Sequence, residues 1–346
     1  MILRQPANKL RKPLNILAIA TGDMMRTRAR PALHDIAFES DLYALRIAYL
    51  DIRDDAPFGL LQTDEVQEFY VQIDEKARLP FDTLNAMGFM ACDLAIVGSP
   101  TPLHGQFAFQ AASIAENVAV DKPLTPTVGE ARALSRSSSV YAMSHFLAKT
   151  SIQPLWELSP DNTARIEAFF MQRGGVGMRN LDPAYEDLGY HQAAILLKHF
   201  SAARLTVDLC QTMTYEPVAN ASTPRVTTAA RITGTVETPM AKVPFAIVVA
   251  KGCEDDLQEL RIHPLQGNTT VVRQTGDTPK WLPYRRMLKG LLFDDKPEHL
   301  LSMAHHVESV HFCDRAKQRE DNLGYYGFGT NPFDEFTSDV EVEAFR

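Results

Sequence analysis

The chain has 346 residues, 45% of them hydrophobic and 23% charged, with a formal net charge of −8. Such a mixture suits a globular chain long enough for two domains with buried cores, and excludes a disordered polymer. The acidic balance argues against general nucleic-acid binding, which needs a basic surface. Four cysteines, Cys92, Cys210, Cys253 and Cys313, stand far apart without CxxC spacing, and read as reduced thiols of a cytoplasmic protein.

At the start, basic residues precede an apolar run over 14–20. A signal peptide is the competing reading, but the run is short and stops at Gly22-Asp23, so a first strand is expected. No stretch approaches the ~18 apolar residues of a membrane helix. Further strands follow at 44–52, 68–73, 93–99, 117–122 and 140–146, each a short continuous apolar run of the kind covered on both faces. Helices are expected at 105–117 and 127–138, the second opened by a capping box between Thr127 and Glu130. Strand–helix alternation predicts an α/β, Rossmann-type, doubly wound parallel sheet over 1–150, with ligands beyond the carboxyl ends of its strands.

After about residue 160 the pattern changes. Strands at 164–172, 225–237, 243–251, 257–264 and 268–275 alternate partially, which predicts an open, mostly antiparallel sheet covered on one face. With helices at 185–200, 284–293 and 297–318, this makes a second, α+β domain over 151–346. The stretch from Leu323 onward shows no period and is expected to drape over a neighbour or move. There is no internal repeat. An exposed open sheet commonly pairs with a second copy, so a homodimer or homotetramer is expected.

The first strand leads into Ala20-Thr21-Gly22-Asp23-Met24-Met25, which fills the dinucleotide pattern Gly-x-Gly-x-x-Gly with one glycine of three. An ordinary β–α turn is the plainer reading. As a cofactor site, Thr21, Gly22, Asp23 and Met24 would approach a pyrophosphate at a helix N-terminus. Asp51, ending the second strand, would accept from ribose hydroxyls, whereas Arg53, Arg26 and Arg28 could meet a 2′-phosphate, so NAD and NADP both stay open. Lys122, in VAVDKPLTPT (118–127), stands where an apolar strand runs out, and is either a solvated loop residue or a catalytic lysine beside a cofactor. Adjacent His305 and His306 would diverge by about 100° on a helix, so no metal is expected.

The stretch DLAIVGSPTPLHGQFAFQAASIAENVAVDKPLTPTVGEARAL (93–134) resembles the defining segment of the Gfo/Idh/MocA oxidoreductase family. There the fourth strand ends in a small-Pro turn before a histidine, here Ser99-Pro100 and His104. The fifth ends in Glu-Lys-Pro, here Asp121-Lys122-Pro123, and a later Asp and His four apart correspond to Asp187 and His191. The resemblance implies cofactor contacts at Ser99, Pro100, His104, Asp121 and Lys122, catalysis by Lys122, Asp187 and His191, and a substrate contact at Tyr190. A second likeness, to glucose-6-phosphate dehydrogenases, lies in ATGDMMRTRARPAL (20–33) and SHFLAK (144–149). It implies that His145 and Lys149 hold a sugar phosphate, although Ser144 stands where those enzymes carry an acid.

The chemistry implied is NAD(P)-dependent hydride transfer at a secondary alcohol or ketone carbon of a sugar, cyclitol or sugar phosphate. Such a reaction needs a base for the hydroxyl proton and donors for the developing oxyanion. His191 is assigned proton transfer, with Asp187 four residues before it on one helical face to orient the imidazole. Lys122 is assigned the substrate oxygen and the nicotinamide ribose. Two alternatives stay open: a non-catalytic nucleotide-binding sensor or scaffold, and redox-assisted lyase or glycosidase chemistry.

Overall fold

A computed structural model describes residues 11–74, 76, 78–173, 182–201, 204–215, 227–253, 255–274, 276–293, 302–326 and 332. The first sheet consists of β1 (Lys12–Ile19), β2 (Tyr43–Asp51), β3 (Val66–Gln72), β4 (Cys92–Val97), β5 (Ala115–Asp121) and β6 (Val140–Met143). All its pairings are parallel and its order is β3-β2-β1-β4-β5-β6. Crossover helices α1 (Arg30–Phe38), α2 (Phe81–Ala86), α3 (His104–Ala111) and α4 (Val128–Leu134) link its strands. The continuous apolar run of β1 follows from this cover, since Ile16, Leu17, Ala18 and Ile19 are all buried. This is the doubly wound Rossmann-type sheet expected from the sequence.

The strand expected at 140–146 stops at Met143; His145–Ala148 and Thr150–Ile152 form short 3₁₀ turns, followed by α5 (Gln153–Trp156). The second sheet contains β7 (Thr163–Gln172), β8 (Arg204–Tyr215), β9 (Ala229–Glu237), β10 (Lys242–Lys251), β11 (Leu257–Pro264), β12 (Thr270–Arg273) and β13 (Glu320–Tyr326). Its order is β12-β11-β7-β10-β9-β8-β13; β7 with β10 and β8 with β13 are parallel, and the other pairs are antiparallel. A π-helical turn, Tyr185–Gly189, runs into α6 (Tyr190–His199); α7 (Leu282–Phe293) and α8 (Met303–Gln318) complete the described helices. The inner face, with Leu205, Ile232, Phe245 and Ile247, is buried, and Phe312 of α8 lies 6.2 Å from the Phe245 ring.

Two strands are absent from the sequence reading. β8 has a register shift between Val207 and Leu209, so its inward positions change phase and the period of two breaks. Opposite this irregularity, a side chain on Gly234 would place its Cβ 2.0 Å from the Thr206 carbonyl oxygen, a close approach that excludes every residue but glycine. β13 is an edge strand, mostly exposed, with acids and Gly324 where a buried strand would carry apolar residues. Leu323 to Tyr326 are therefore part of a sheet, which corrects the expectation of an irregular stretch; 297–301 of the last expected helix and 216–226 before β9 lie outside the described residues.

Chain contacts define two compact units that interleave in sequence. One comprises residues 1–121, 133–143 and 278–300; the other comprises 122–132, 144–277 and 301–346. The first holds the parallel sheet and the second holds β7–β13. Among the described residues, no helix is long and apolar enough to cross a membrane.

Candidate active site

In the first unit, the turn after β1 begins at Ala20, a non-glycine residue at φ 70°, whose N–H donates to the Leu50 carbonyl at 2.7 Å. Asp51, at the end of β2, is buried, and its Oδ2 accepts from both the N–H and the hydroxyl of Thr21, at 2.7 and 2.5 Å. Burial alone would raise the pKa of this carboxyl, but the Thr21 bonds, the Arg53 N–H and the Arg53 charge hold it below its ordinary value. Asp51 thus ties the turn to the sheet. Arg53 lies beside it, with Nε 3.5 Å from Oδ1 and a side chain 52% exposed.

Asp23 pairs with Arg26 at 3.2 Å on the surface, and Arg28 Nη1 donates to the Thr27 carbonyl at 3.3 Å. Met24 lies beside Gly98, where a Cβ would meet its Cε at 2.5 Å. A Cβ on Gly22, by contrast, would meet nothing within 4 Å, so backbone in this turn is open to a close ligand. At the end of β4, His104 is buried with Nε2 2.7 Å from the Ser99 carbonyl, which fixes the turn through Ser99 and Pro100. The Ser99 hydroxyl is buried without a hydrogen-bond partner among the described residues. Open backbone at Gly22 and an orphaned hydroxyl at Ser99 fit a dinucleotide at the carboxyl ends of β1 and β4.

In the second unit, the motif residues form a cluster in which Asp187 and His191 are buried and Lys122 and His145 are half-buried. Asp121 pairs in register with Met143, so the chain leaves β5 and β6 at the same end, one residue before Lys122 and two before His145. Lys122 Nζ donates to Asp187 Oδ1 and, at 3.0 Å, to the Asp187 carbonyl. Asp187 Oδ2 lies 2.7 Å from Lys251 Nζ. Burial works to protonate Asp187, but the charges and hydrogen bonds of Lys122 and Lys251 outweigh it and hold the carboxyl well below the usual range.

His191 is buried, its ring centroid 4.1 Å from that of Phe146 and 4.8 Å from that of His145. Burial first, then the charges of Lys122 and His145, push its pKa well below the ordinary histidine value, so the imidazole is neutral near pH 7. Its Nδ1 has no hydrogen-bond partner among the described residues, nor has the buried Ser144 hydroxyl. Lys149 is 6% exposed; its Nζ donates to the Gln274 carbonyl at 3.1 Å and sits 3.5 Å from the centre of the Phe146 ring. Burial lowers its pKa to about 8 against a partial opposing pull from Asp277.

The structure changes two expectations. Asp187 gives its two carboxylate oxygens to two lysines, and the hydrogen bond meant to orient the imidazole gives way to the stronger attraction of buried ammonium groups. Tyr190 is fully buried with its hydroxyl 3.0 Å from His306 Nδ1, because residues 190 and 191 diverge by about 100° on a helix; it faces α8 and not the His191 cluster. Sequence reasoning missed Lys251. The signal was present, since VPFAIVVAK (243–251) ends an apolar strand in lysine just as VAVDK does.

A parallel sheet in this order, with an open turn after its first strand, is a Rossmann-type fold of the kind that binds dinucleotides. Residues 61–139 match the model GFO_IDH_MocA, an oxidoreductase family with NAD-binding Rossmann fold, the family that the 93–134 stretch resembles. No curated protein matches the chain. Among solved structures, it is similar to KijD10, a 3-ketoreductase from Actinomadura kijaniata in complex with NADP and TDP-benzene, with 14% identity, TM-score 0.63, and coverage of 91% of this chain and 100% of that one. It is also similar to a probable dehydrogenase from Thermotoga maritima, with 12% identity, TM-score 0.68, and coverage of 88% and 96%. A third is the apo scyllo-inositol dehydrogenase from Lactobacillus casei, with 11% identity, TM-score 0.66, and coverage of 90% and 96%. At these identities the likeness is one of fold.

Proposed function

We propose that the protein uses NAD or NADP to transfer a hydride to or from a CH–OH carbon of a sugar, cyclitol or sugar phosphate. The observation that carries this reading is the cluster of half-buried Lys122 and His145 with buried Asp187, His191 and Lys149, which begins one residue after the end of β5. Thr21, Gly22, Asp23, Met24, Asp51, Arg53, Ser99, Pro100, His104, Asp121 and Lys122 are the candidates for holding the dinucleotide. Among them, Asp51 and His104 act by holding the Thr21 and Ser99 turns in place.

The dinucleotide supplies a hydride acceptor or donor when bound; the chain's residues do the remaining work. His191 is neutral, and is therefore in the form that can take a hydroxyl proton. Lys122, fixed by two bonds to Asp187, offers an ammonium to the substrate oxygen and stabilises negative charge as it develops there. Three ammonium groups, on Lys122, Lys149 and Lys251, outnumber the carboxylates of Asp187, which pairs with the first and third, and Asp277, which acts on Lys149, so the cluster carries excess positive charge. That excess favours a phosphorylated or acidic sugar, with His145 and Lys149 on its anionic group.

Protein fluorescence quenching by NADH and NADPH tests binding, and absorbance at the reduced-nicotinamide band across a panel of sugars, cyclitols and sugar phosphates tests turnover. Turnover lost in Lys122→Ala and His191→Ala, with quenching retained in His191→Ala, supports the reading. Binding without turnover on any substrate, indifferent to both substitutions, would mean a sensor. The outer face of the second sheet is the proposed contact between copies in a dimer or tetramer, tested by solution scattering.

A further inference from the structure

Lys251 ends β10 and lies outside every motif that drew attention to this site. Its side chain is 2% exposed. Its main chain is anchored on both sides: the N–H donates to the Thr228 carbonyl at 2.9 Å, and its own carbonyl accepts from the Tyr326 hydroxyl. From that fixed base, Nζ reaches Asp187 Oδ2 at 2.7 Å and the Asp182 carbonyl at 3.4 Å. A lysine this deeply buried would be costly to keep charged without a counter-ion. Asp187, however, is already the partner of Lys122. One carboxylate therefore serves two ammonium groups, and the three side chains together carry one net positive charge.

We propose that Lys251 is a positioning residue of the Lys122 site: by taking Oδ2 of Asp187 it locks the carboxylate with Oδ1 on Lys122 and adds a positive charge to the group. This rests on the reading of Lys122 and Asp187 as site residues. Each carboxylate oxygen has its own cation on a different element, so rotation of the carboxylate would break one pairing to improve neither. One carboxylate cannot offset both ammonium groups, so Lys251 adds like charge beside Lys122. Among the described residues, the charged or titratable groups around the triad include His191 on α6, His145 and Lys149 in the 145–149 segment, Asp182, Glu186 beside Asp187, Cys313 on α8 and Tyr326 on β13.

The test is an NMR titration of the cofactor-free full chain labelled with 13C and 15N in lysine, the Lys122 signal being assigned by its loss in Lys122→Arg. In Lys251→Met, which keeps the apolar stem and removes the charge, the midpoint of Lys122 should rise by about one pH unit, as expected on removing a neighbouring like charge. Lys251→Arg should restore the wild-type midpoint. An unchanged midpoint in Lys251→Met, or the same rise in Lys251→Arg, overturns the proposal. Should Lys251→Met not fold, the reciprocal measurement decides. In Lys122→Ala the Lys251 ammonium signal must move, because its partner is no longer shared; a signal that stays put also overturns it. Dinucleotide quenching is read separately, so failure of the oxidoreductase reading leaves these titrations intact, and their failure leaves that reading standing.

Discussion

Lys122 Nζ donates to Asp187 twice, once to the side chain and once to the main-chain carbonyl. Asp187 thus holds the ammonium through side chain and main chain together, and it pairs with Lys251 as well. Asp187→Asn leaves two buried ammonium groups without their counter-charge and should cost about 3–5 kcal/mol. Lys122→Ala leaves the Asp187–Lys251 pair intact and should cost less. Urea unfolding at pH 7 checks the order; equal losses would show that the carboxylate does not serve both lysines.

Buried histidines set the acid limit of stability. Burial lowers His199 to about 4 and His306 to about 3 from an ordinary value of 6.5. Between those values and 6.5 the unfolded chain binds protons that the folded chain does not, so stability falls as pH falls, by about 1.4 kcal/mol per pH unit for each histidine. The loss should begin near pH 6.5, reach roughly 2 kcal/mol per histidine at pH 5, and shrink in His199→Gln and His306→Gln. Asp187, whose folded pKa is depressed, adds its own loss only below the unfolded carboxyl value of about 3.9. Urea midpoints at pH 7 and pH 5 are the measurement.

Lys149 is a buried cation that folding would be better without. Lys149→Met keeps the stem over Phe146 and should raise stability at pH 7 by about 1 kcal/mol, while weakening any anionic substrate. Wild-type stability should climb from pH 8 toward 10.5, because the folded lysine, at about 8, releases its proton before the unfolded one. The climb should be smaller in the variant. A variant less stable than wild type at pH 7 contradicts this account.

The turn after β1 separates folding from ligand binding. Ala20, at φ 70°, occupies backbone that glycine tolerates better, so Ala20→Gly should be neutral or stabilising, and Ala20→Val should lose about 1–2 kcal/mol. Gly22→Ala meets nothing within 4 Å and should leave the melting temperature unchanged. It should nonetheless weaken dinucleotide quenching about tenfold, because the added methyl occupies space meant for the ligand. Unaltered quenching in Gly22→Ala would move the cofactor away from this turn.

The parallel sheet was legible because its strands are covered on both faces and appear as continuous apolar runs. β8 and β13 were not, for opposite reasons: a bulge shifts the phase of one, and an exposed edge removes the apolar signal from the other. Tyr190 shows a similar limit. Its neighbour in sequence points into the site, but helical rotation carries Tyr190 itself into contact with His306.

Order and spacing along the chain determined the class of fold and which lysine, aspartate and histidine to compare. Those are local properties, expressed in the apolar period of each strand and the residue that ends it. The sharing of Asp187 between Lys122 and Lys251, the neutral state of His191 and the lowered pKa of Lys149 were decided by tertiary structure. Each depends on distances between residues far apart in sequence and on the exclusion of water around them, and no linear pattern records either.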